Sequence, residues 1–256
     1  MKIRTMLALV AACSVLLPAL SEAQDTGGNI ARMWVVVPKE GMDDQLEAAM
    51  KDHNAWRVEN GDPWSWNTYH RVSGGDLNNW YIRSGGHSYA DLDAYRDSEF
   101  SQRAFEHWSA NVDQYVAEYR THLAEYAPEI SHTLPDEGPY EYYWVYEYHI
   151  KPGMGRAFYA AAEAISTALT EAQWPDTWWF IWQLDGESMP AMSLVIPNAN
   201  WAGFAEPAES AYDAITAAKG EAVAKEMWEA LFGTVESVSS TVYHRHADLS
   251  FEAAGD

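Results

Sequence analysis

Cysteine is almost missing from this chain: Cys13 is the only one in 256 residues. A single thiol closes no internal disulfide and builds no cysteine-ligated metal centre. Basic side chains are scarce too, with 16 Lys and Arg against 38 Asp and Glu and a net charge of −22. Such a surface repels nucleic acid and anionic lipid, so neither is an expected partner. The longest apolar run, Met6 to Leu20, is broken by Pro18 and falls short of the roughly 20 residues that span a bilayer. A Gly-rich nucleotide loop, a Ser-His-Asp arrangement and paired metal-ligand motifs are also lacking.

That apolar run has the layout of an export signal. Lys2 and Arg4 precede it, and Ser21-Glu22-Ala23 offers a small-x-small cleavage site. Residues 1–23 are therefore expected to be removed, with the mature chain starting at Gln24 in the periplasm or outside the cell. Val10-Ala11-Ala12-Cys13 loosely resembles a lipobox, which would instead anchor the protein by lipid at Cys13. Cleavage after Ala23 takes the only cysteine and leaves 14 basic and 37 acidic side chains.

What the chain does have is a second copy of itself, displaced by 112 residues. Sliding 41–92 onto 153–204 without a gap pairs Gly41-Met42 with Gly153-Met154, Ala48-Ala49 with Ala160-Ala161, Pro63 with Pro175 and Trp66 with Trp178. Nine of 52 positions are identical, where chance gives about three or four. Most other pairs exchange like for like, as in Leu46/Phe158 and Ile82/Leu194. Internal repetition decides architecture first, and divides the mature chain into repeats at 24–137 and 138–256.

Each copy shows the same order of periodicities. Residues 31–37 and 143–150 are β-branched and aromatic and are predicted strands. A Pro/Gly turn and a helix follow, 43–59 and 155–172, stopped by Asn60-Gly61-Asp62-Pro63 and Trp174-Pro175-Asp176. Next come predicted hairpins at 64–72 with 79–84 and 177–184 with 191–196. A helical region broken near Ser98 and near Gly220 precedes a last strand, Glu129 to Thr133 in the first copy and Val238 to Arg245 in the second. The order is β-α-β-β-α-β twice, which makes the fold class α+β with tandem ferredoxin-like repeats. Each unit leaves one sheet face bare, and two units bury those faces against each other as a barrel-like core.

The turn Ile150-Lys151-Pro152-Gly153-Met154, the hairpins, and Gly86 to Tyr95 followed by Asp97-Ser98-Glu99-Phe100 resemble the dimeric α+β barrel superfamily, in particular its antibiotic-biosynthesis-monooxygenase-like and NIPSNAP-like branches. The resemblance covers nearly the whole mature chain through structural motifs. It implies a pseudo-dimeric barrel in one chain with a cavity between its sheets. It carries no reaction, because that superfamily spans cofactor-free oxygenases, haem enzymes and isomerases.

Strand alternation divides candidate residues between the helix side and the barrel side. In the fifth strand the barrel side receives Val145, Glu147 and His149, opposite the wholly apolar Met33, Val35 and Val37 of the first copy. The hairpin of the first copy sends Tyr81 and Arg83 inward with Asn67, Tyr69 and Arg71, and Trp179 and Gln183 are their counterparts in the second. Trp66, Thr68 and His70 fall under the helices, with His70 read as a core histidine. His87 follows Ser84-Gly85-Gly86 at the junction of a strand and a helix. The candidate catalytic residues are therefore His149, Glu147, Arg83, Tyr81 and His87, and the candidate ligand-binding residues Asn67, Tyr69, Arg71, Trp179 and Gln183.

Two families of function follow from the same cavity. A cofactor-independent oxygenase or isomerase would use His149 or His87 as base and Tyr81 or Arg83 to hold a developing oxyanion. A ligand-binding or interaction protein would use the aromatic interior, drawn from 13 Trp and 15 Tyr, without chemistry. The expected partner is a small apolar or aromatic molecule, and the expected state a monomer or weak homo-oligomer. No cofactor is expected. Haem on His107 or His87 and a metal on the histidines of the last strand are lesser alternatives, the metal disfavoured because strand order holds His149 away from His244 and His246.

Overall fold

This computed structural model describes residues 28–134, 139–186, 189–205 and 209–253. The expected signal segment and the boundary between the repeats lie outside the described residues. Eight strands and six helices follow in the order β1 (Ile30–Pro38), α1 (Asp43–Glu59), β2 (Trp66–Arg71), β3 (Trp80–His87), α2 (Tyr89–Arg96), α3 (Glu99–Asn111) and β4 (Val116–Tyr126). The second half repeats the order with β5 (Tyr142–Ile150), α4 (Gly155–Glu171), β6 (Trp179–Gln183), β7 (Ala191–Asn198), α5 (Ala211–Lys219), α6 (Glu221–Gly233) and β8 (Val235–Phe251).

The strands form one closed antiparallel barrel in the order β1-β3-β2-β8-β5-β7-β6-β4. Each half contributes a contiguous four-stranded ferredoxin-like sheet, and the sheets join edge to edge at β2–β8 and β4–β6. Closure removes all free sheet edges. The fold is thus α+β, two ferredoxin-like units closed into one barrel. Among the described residues no helix is long and apolar enough to cross a membrane.

The 112-residue shift is visible in three dimensions. Both β1 and β5, and likewise α1 and α4, start and end 112 residues apart, and Val35 pairs with Tyr81 as Glu147 pairs with Ser193. The shift then slips: Ser88 and Ser210 each close a capping box at the start of α2 and α5, 122 residues apart. The extra residues of the second copy include the short 3-10 turn Trp201–Phe204. The gap-free matches Tyr89/Trp201, Ala90/Ala202 and Leu92/Phe204 are therefore not structural equivalents.

The last strand of the first copy also differs from expectation. It is β4 at Val116–Tyr126, and the expected 129–133 holds a 3-10 turn at Pro128–Ile130 and a single bridge between His132 and Trp178. The polar, charged run Ala117 to Glu125 hides the strand, because most of it is exposed and it gains its order by pairing along β1. His132 and His244, 112 residues apart, are consequently unrelated in structure.

Helices and sheets enclose two apolar clusters. The first half packs Leu46 and Met50 of α1 against Val36, Trp80, Val112 and Leu249; the second packs Phe158, Ile165 and Leu169 of α4 against Tyr148, Ile150, Phe180, Met192 and Ile215. Leu46 and Phe158 occupy equivalent places and both are fully buried. Leu249 comes from β8, so the second half completes the core of the first. Its carbonyl accepts hydrogen bonds from Asn54 Nδ2 (2.7 Å) and Thr68 Oγ1 (2.8 Å). After α1 the chain turns at Gly61 (φ 72°), a value that favours glycine. The carboxylate of Asp62, 3 % exposed, then accepts from Arg57 Nε (2.6 Å), Trp64 N (3.0 Å) and Trp66 Nε1 (3.1 Å). In urea unfolding, Leu46→Ala should cost about 2–5 kcal/mol and Phe158→Ala about 3–5 kcal/mol. Losses under ~1 kcal/mol would show that these positions do not anchor the cores.

Candidate functional site

Alternation along β2 and β3 places Asn67, Tyr69, Arg71, Tyr81 and Arg83 inside the barrel, and the structure brings them together. Trp80 and Ile82 go to the helix side with Val36, as the hydrophobic pattern requires. The inward set meets Tyr143 of β5 and Tyr243 and Arg245 of β8, three residues that the sequence pattern did not single out. Tyr69 meets Tyr143 edge to face at 5.3 Å between ring centroids, and Tyr81 meets Tyr243 at 5.0 Å. Arg71 Nε donates to the Tyr243 hydroxyl (3.1 Å) and lies over the Tyr81 ring, while Arg245 Nε donates to Asn67 Oδ1 (2.6 Å). Gly85 leaves room for the Arg83 guanidinium, which a Cβ there would meet at 3.0 Å.

Burial raises the phenol of Tyr81 to about 12 and pushes those of Tyr69, Tyr143 and Tyr243 upward as well. At neutral pH all four are therefore hydroxyl donors. Arg83 and Arg245 both act on Tyr69 and Tyr143, and neither forms an ion pair with a carboxylate among the described residues. Glu252 also acts on Tyr69, and Glu147 and Asp76 act on Tyr243, so the interior is donor-rich and carries charges of both signs.

Glu147 and His149 occupy the far end of the inward face of β5. Glu147 Oε1 lies 3.2 Å from His149 Nε2, with the side chains 41 % and 23 % exposed. His149 lines a pocket of about 330 Å³ with Ile150, Pro152, Met189, Glu236 and Ser237. Trp179 stands on the other side, in contact with Tyr143 and donating Nε1 to Thr133 Oγ1 (2.9 Å), and Gln183 donates to Ser193 Oγ (3.1 Å). These two extend the inward wall of the second half.

His87 is not part of this group. It is 7 % exposed, stacked under Trp64 at 3.8 Å, and its Nε2 engages Ser84 Oγ at 2.7 Å. His107 is held by His53 (Nδ1 to Nδ1, 3.0 Å) and stacked on Trp56 at 4.6 Å. Both serve packing between helix and sheet.

The outward faces of β2 and β8 carry a different cluster. His70 is register partner to His244, and His246 sits across from Thr68, so three imidazoles converge. One ligand nitrogen from each lies within 4.8 Å of the others, and all three side chains are half-buried. His70 Nδ1 and His246 Nε2 are in direct contact. Burial, reinforced by the neighbouring histidines, lowers His246 to about 4 and lowers His70. A pocket of about 240 Å³ opens above the cluster, lined by His70, His246, Trp80, Asp43, Glu47, Leu77 and Asn78. The sequence pattern assigned His70 to the core, because its partners stand on a strand of the other repeat. His149 is remote from this cluster, as the strand order implies.

No family model matches the chain, and no curated protein matches its sequence. Solved structures do. A candidate monooxygenase from Lactobacillus acidophilus is 12% identical with a TM-score of 0.54, over 87% of this chain and 95% of that one. A second candidate monooxygenase, from Fusobacterium nucleatum, is 14% identical with a TM-score of 0.54 over 88% and 94% of the two chains. An anthrone oxidase-like protein is 14% identical with a TM-score of 0.52 over 91% and 95%. The fold is that of the dimeric α+β barrels. At these identities the likeness extends to the fold and no further.

The histidine pair between α1 and α3 yields a pH dependence. Burial first, then Arg57 and His107, lowers His53 from 6.5 to about 3, so its imidazole stays neutral in the folded chain where in the unfolded chain it takes up a proton. This contribution to stability is complete above about pH 6.5 and is lost as pH falls toward 3. Between pH 7 and pH 4.5 the urea midpoint of the parent should fall more steeply than that of His53→Leu. Equal slopes would refute the assignment.

Proposed function

We propose that the protein binds a small anionic aromatic molecule, a carboxylate or phenolate, against the inward face of its barrel. The observation that carries this reading is the pair Arg83 and Arg245, set among four protonated tyrosines and, among the described residues, in no ion pair with a carboxylate. Retaining guanidinium groups in such surroundings costs desolvation, and an anion offsets it through charge-assisted hydrogen bonds. Aromatic walls from Tyr69, Tyr143 and Trp179 suit a flat ring. The export pattern at the N-terminus makes the mature protein a periplasmic or secreted one.

The Glu147–His149 pair favours a second, enzymatic reading on the same scaffold. An imidazole held by a carboxylate beside a 330 Å³ pocket is a competent proton acceptor. With Tyr81 and Arg83 holding an oxyanion, it would support a cofactor-independent oxygenase or isomerase. The fold shared with two candidate monooxygenases agrees with this reading.

Calorimetric titration with aromatic carboxylates and phenols should give saturable binding, weakened about 10- to 100-fold in Arg83→Gln and in Arg245→Gln. The thermal midpoint of Arg83→Gln should stay equal to that of the parent or rise, as happens when a group kept for binding is removed. Binding that both variants retain unchanged, or none at all, would overturn the proposal. His149→Gln distinguishes the two readings: it leaves affinity intact in either case and abolishes turnover only if the protein is an enzyme.

A further inference from the structure

We infer that His70, His244 and His246 form a binding site for one divalent first-row transition metal ion, with an open coordination position facing the pocket above it. The geometry comes from both repeats. His70 projects from β2 of the first half and His244 and His246 from β8 of the second, on the outward side of the seam that closes the barrel. The three rings crowd at centroid distances of 4.5, 5.0 and 5.5 Å, and their ligand nitrogens lie within 4.8 Å of one another. Ligands on a tetrahedral zinc-type ion at 2.0–2.1 Å stand about 3.4 Å apart, so small side-chain rotations bring this set to ligating distance.

Chemistry agrees with geometry. Three imidazoles suit zinc, copper, iron, cobalt or nickel and select against magnesium and calcium, which require oxygen ligands. His246 presents Nε2 to His70, while its Nδ1 faces Asp248 Oδ1 at 3.9 Å, on the side from which a carboxylate commonly orients a ligating ring. Lys51 bridges Glu47 (2.8 Å) and Asp248 (2.6 Å), which holds both carboxylates beside the cluster. Three protein nitrogens then leave the fourth position to water or to a small molecule in the 240 Å³ pocket. This site lies on the opposite face of β2 from Tyr69 and Arg71 and is independent of ligand binding inside the barrel.

The test is titration of chelator-treated, full-length mature protein with Co²⁺, followed by displacement with Zn²⁺. One equivalent of Co²⁺ should bind with the visible absorption of a low-coordinate, nitrogen-ligated ion. In His70→Gln and in His246→Gln, affinity should fall by at least about 100-fold; in His122→Gln, on the distant β4, it should not change. Absent absorption in the parent, or equal affinity in the two cluster variants, would overturn the site. Should the variants fail to fold, histidine ring NMR of the parent decides: one equivalent of Zn²⁺ should shift three of the nine histidines. Shifts spread evenly over all nine, or none, would refute it.

Discussion

Everything in this molecule depends on how two half-covered sheets close on each other. A ferredoxin-like sheet carries helices on one face and leaves the other in water, and joining two such sheets edge to edge buries both bare faces at once. The two seams are unequal. At β4–β6 only three residue pairs meet, Ala124 to Gln183 through Tyr126 to Ile181, whereas β2 and β8 run together from Trp66 and Phe251 to Arg71 and Tyr243. The length of β8 makes the second seam: its first half pairs with β5, its second half with β2. Beyond that it delivers Leu249 to the core beneath α1, where Asn54 and Thr68 fix its carbonyl.

Because side chains alternate along a strand, that seam serves two faces together. Tyr243 and Arg245 point into the barrel and join Tyr69, Tyr81, Arg71 and Asn67; His244 and His246 point outward and join His70. One strand of the second repeat therefore completes a polar interior and a histidine cluster whose other members belong to the first. Duplication supplied two similar sheets, and divergence between them made the contents unlike. Val35 faces inward where the second copy has Glu147, and Tyr81 and Arg83 stand where it has Ser193 and Val195.

Much of the architecture was legible in the residues. The apolar strands β1 and β5, helices α1 and α4, the hairpins and the inward phase of Tyr69, Arg71, Tyr81, Arg83 and Glu147 follow from periodicity, because burial on one face leaves a pattern of period 2 or 3.6. Strand β4 left no such pattern, since Glu118, Arg120 and Glu125 are partly exposed along it and its order comes from pairing with β1. The loss of register after the second hairpin was likewise hidden, because a gap-free comparison absorbs an insertion as poor similarity.

The sequence by itself determined the duplication, the α+β class, the order of the elements and the scarcity of positive charge. These are local or composition-level properties, written in each residue and its near neighbours. Which side chains meet was decided only by the tertiary structure. His70 is 174 residues from His244 and 176 from His246, and Arg245 reaches Asn67 across 178. No periodicity encodes a contact between strands of different repeats. The register of β2 on β8 creates it, and that register is set when the barrel closes.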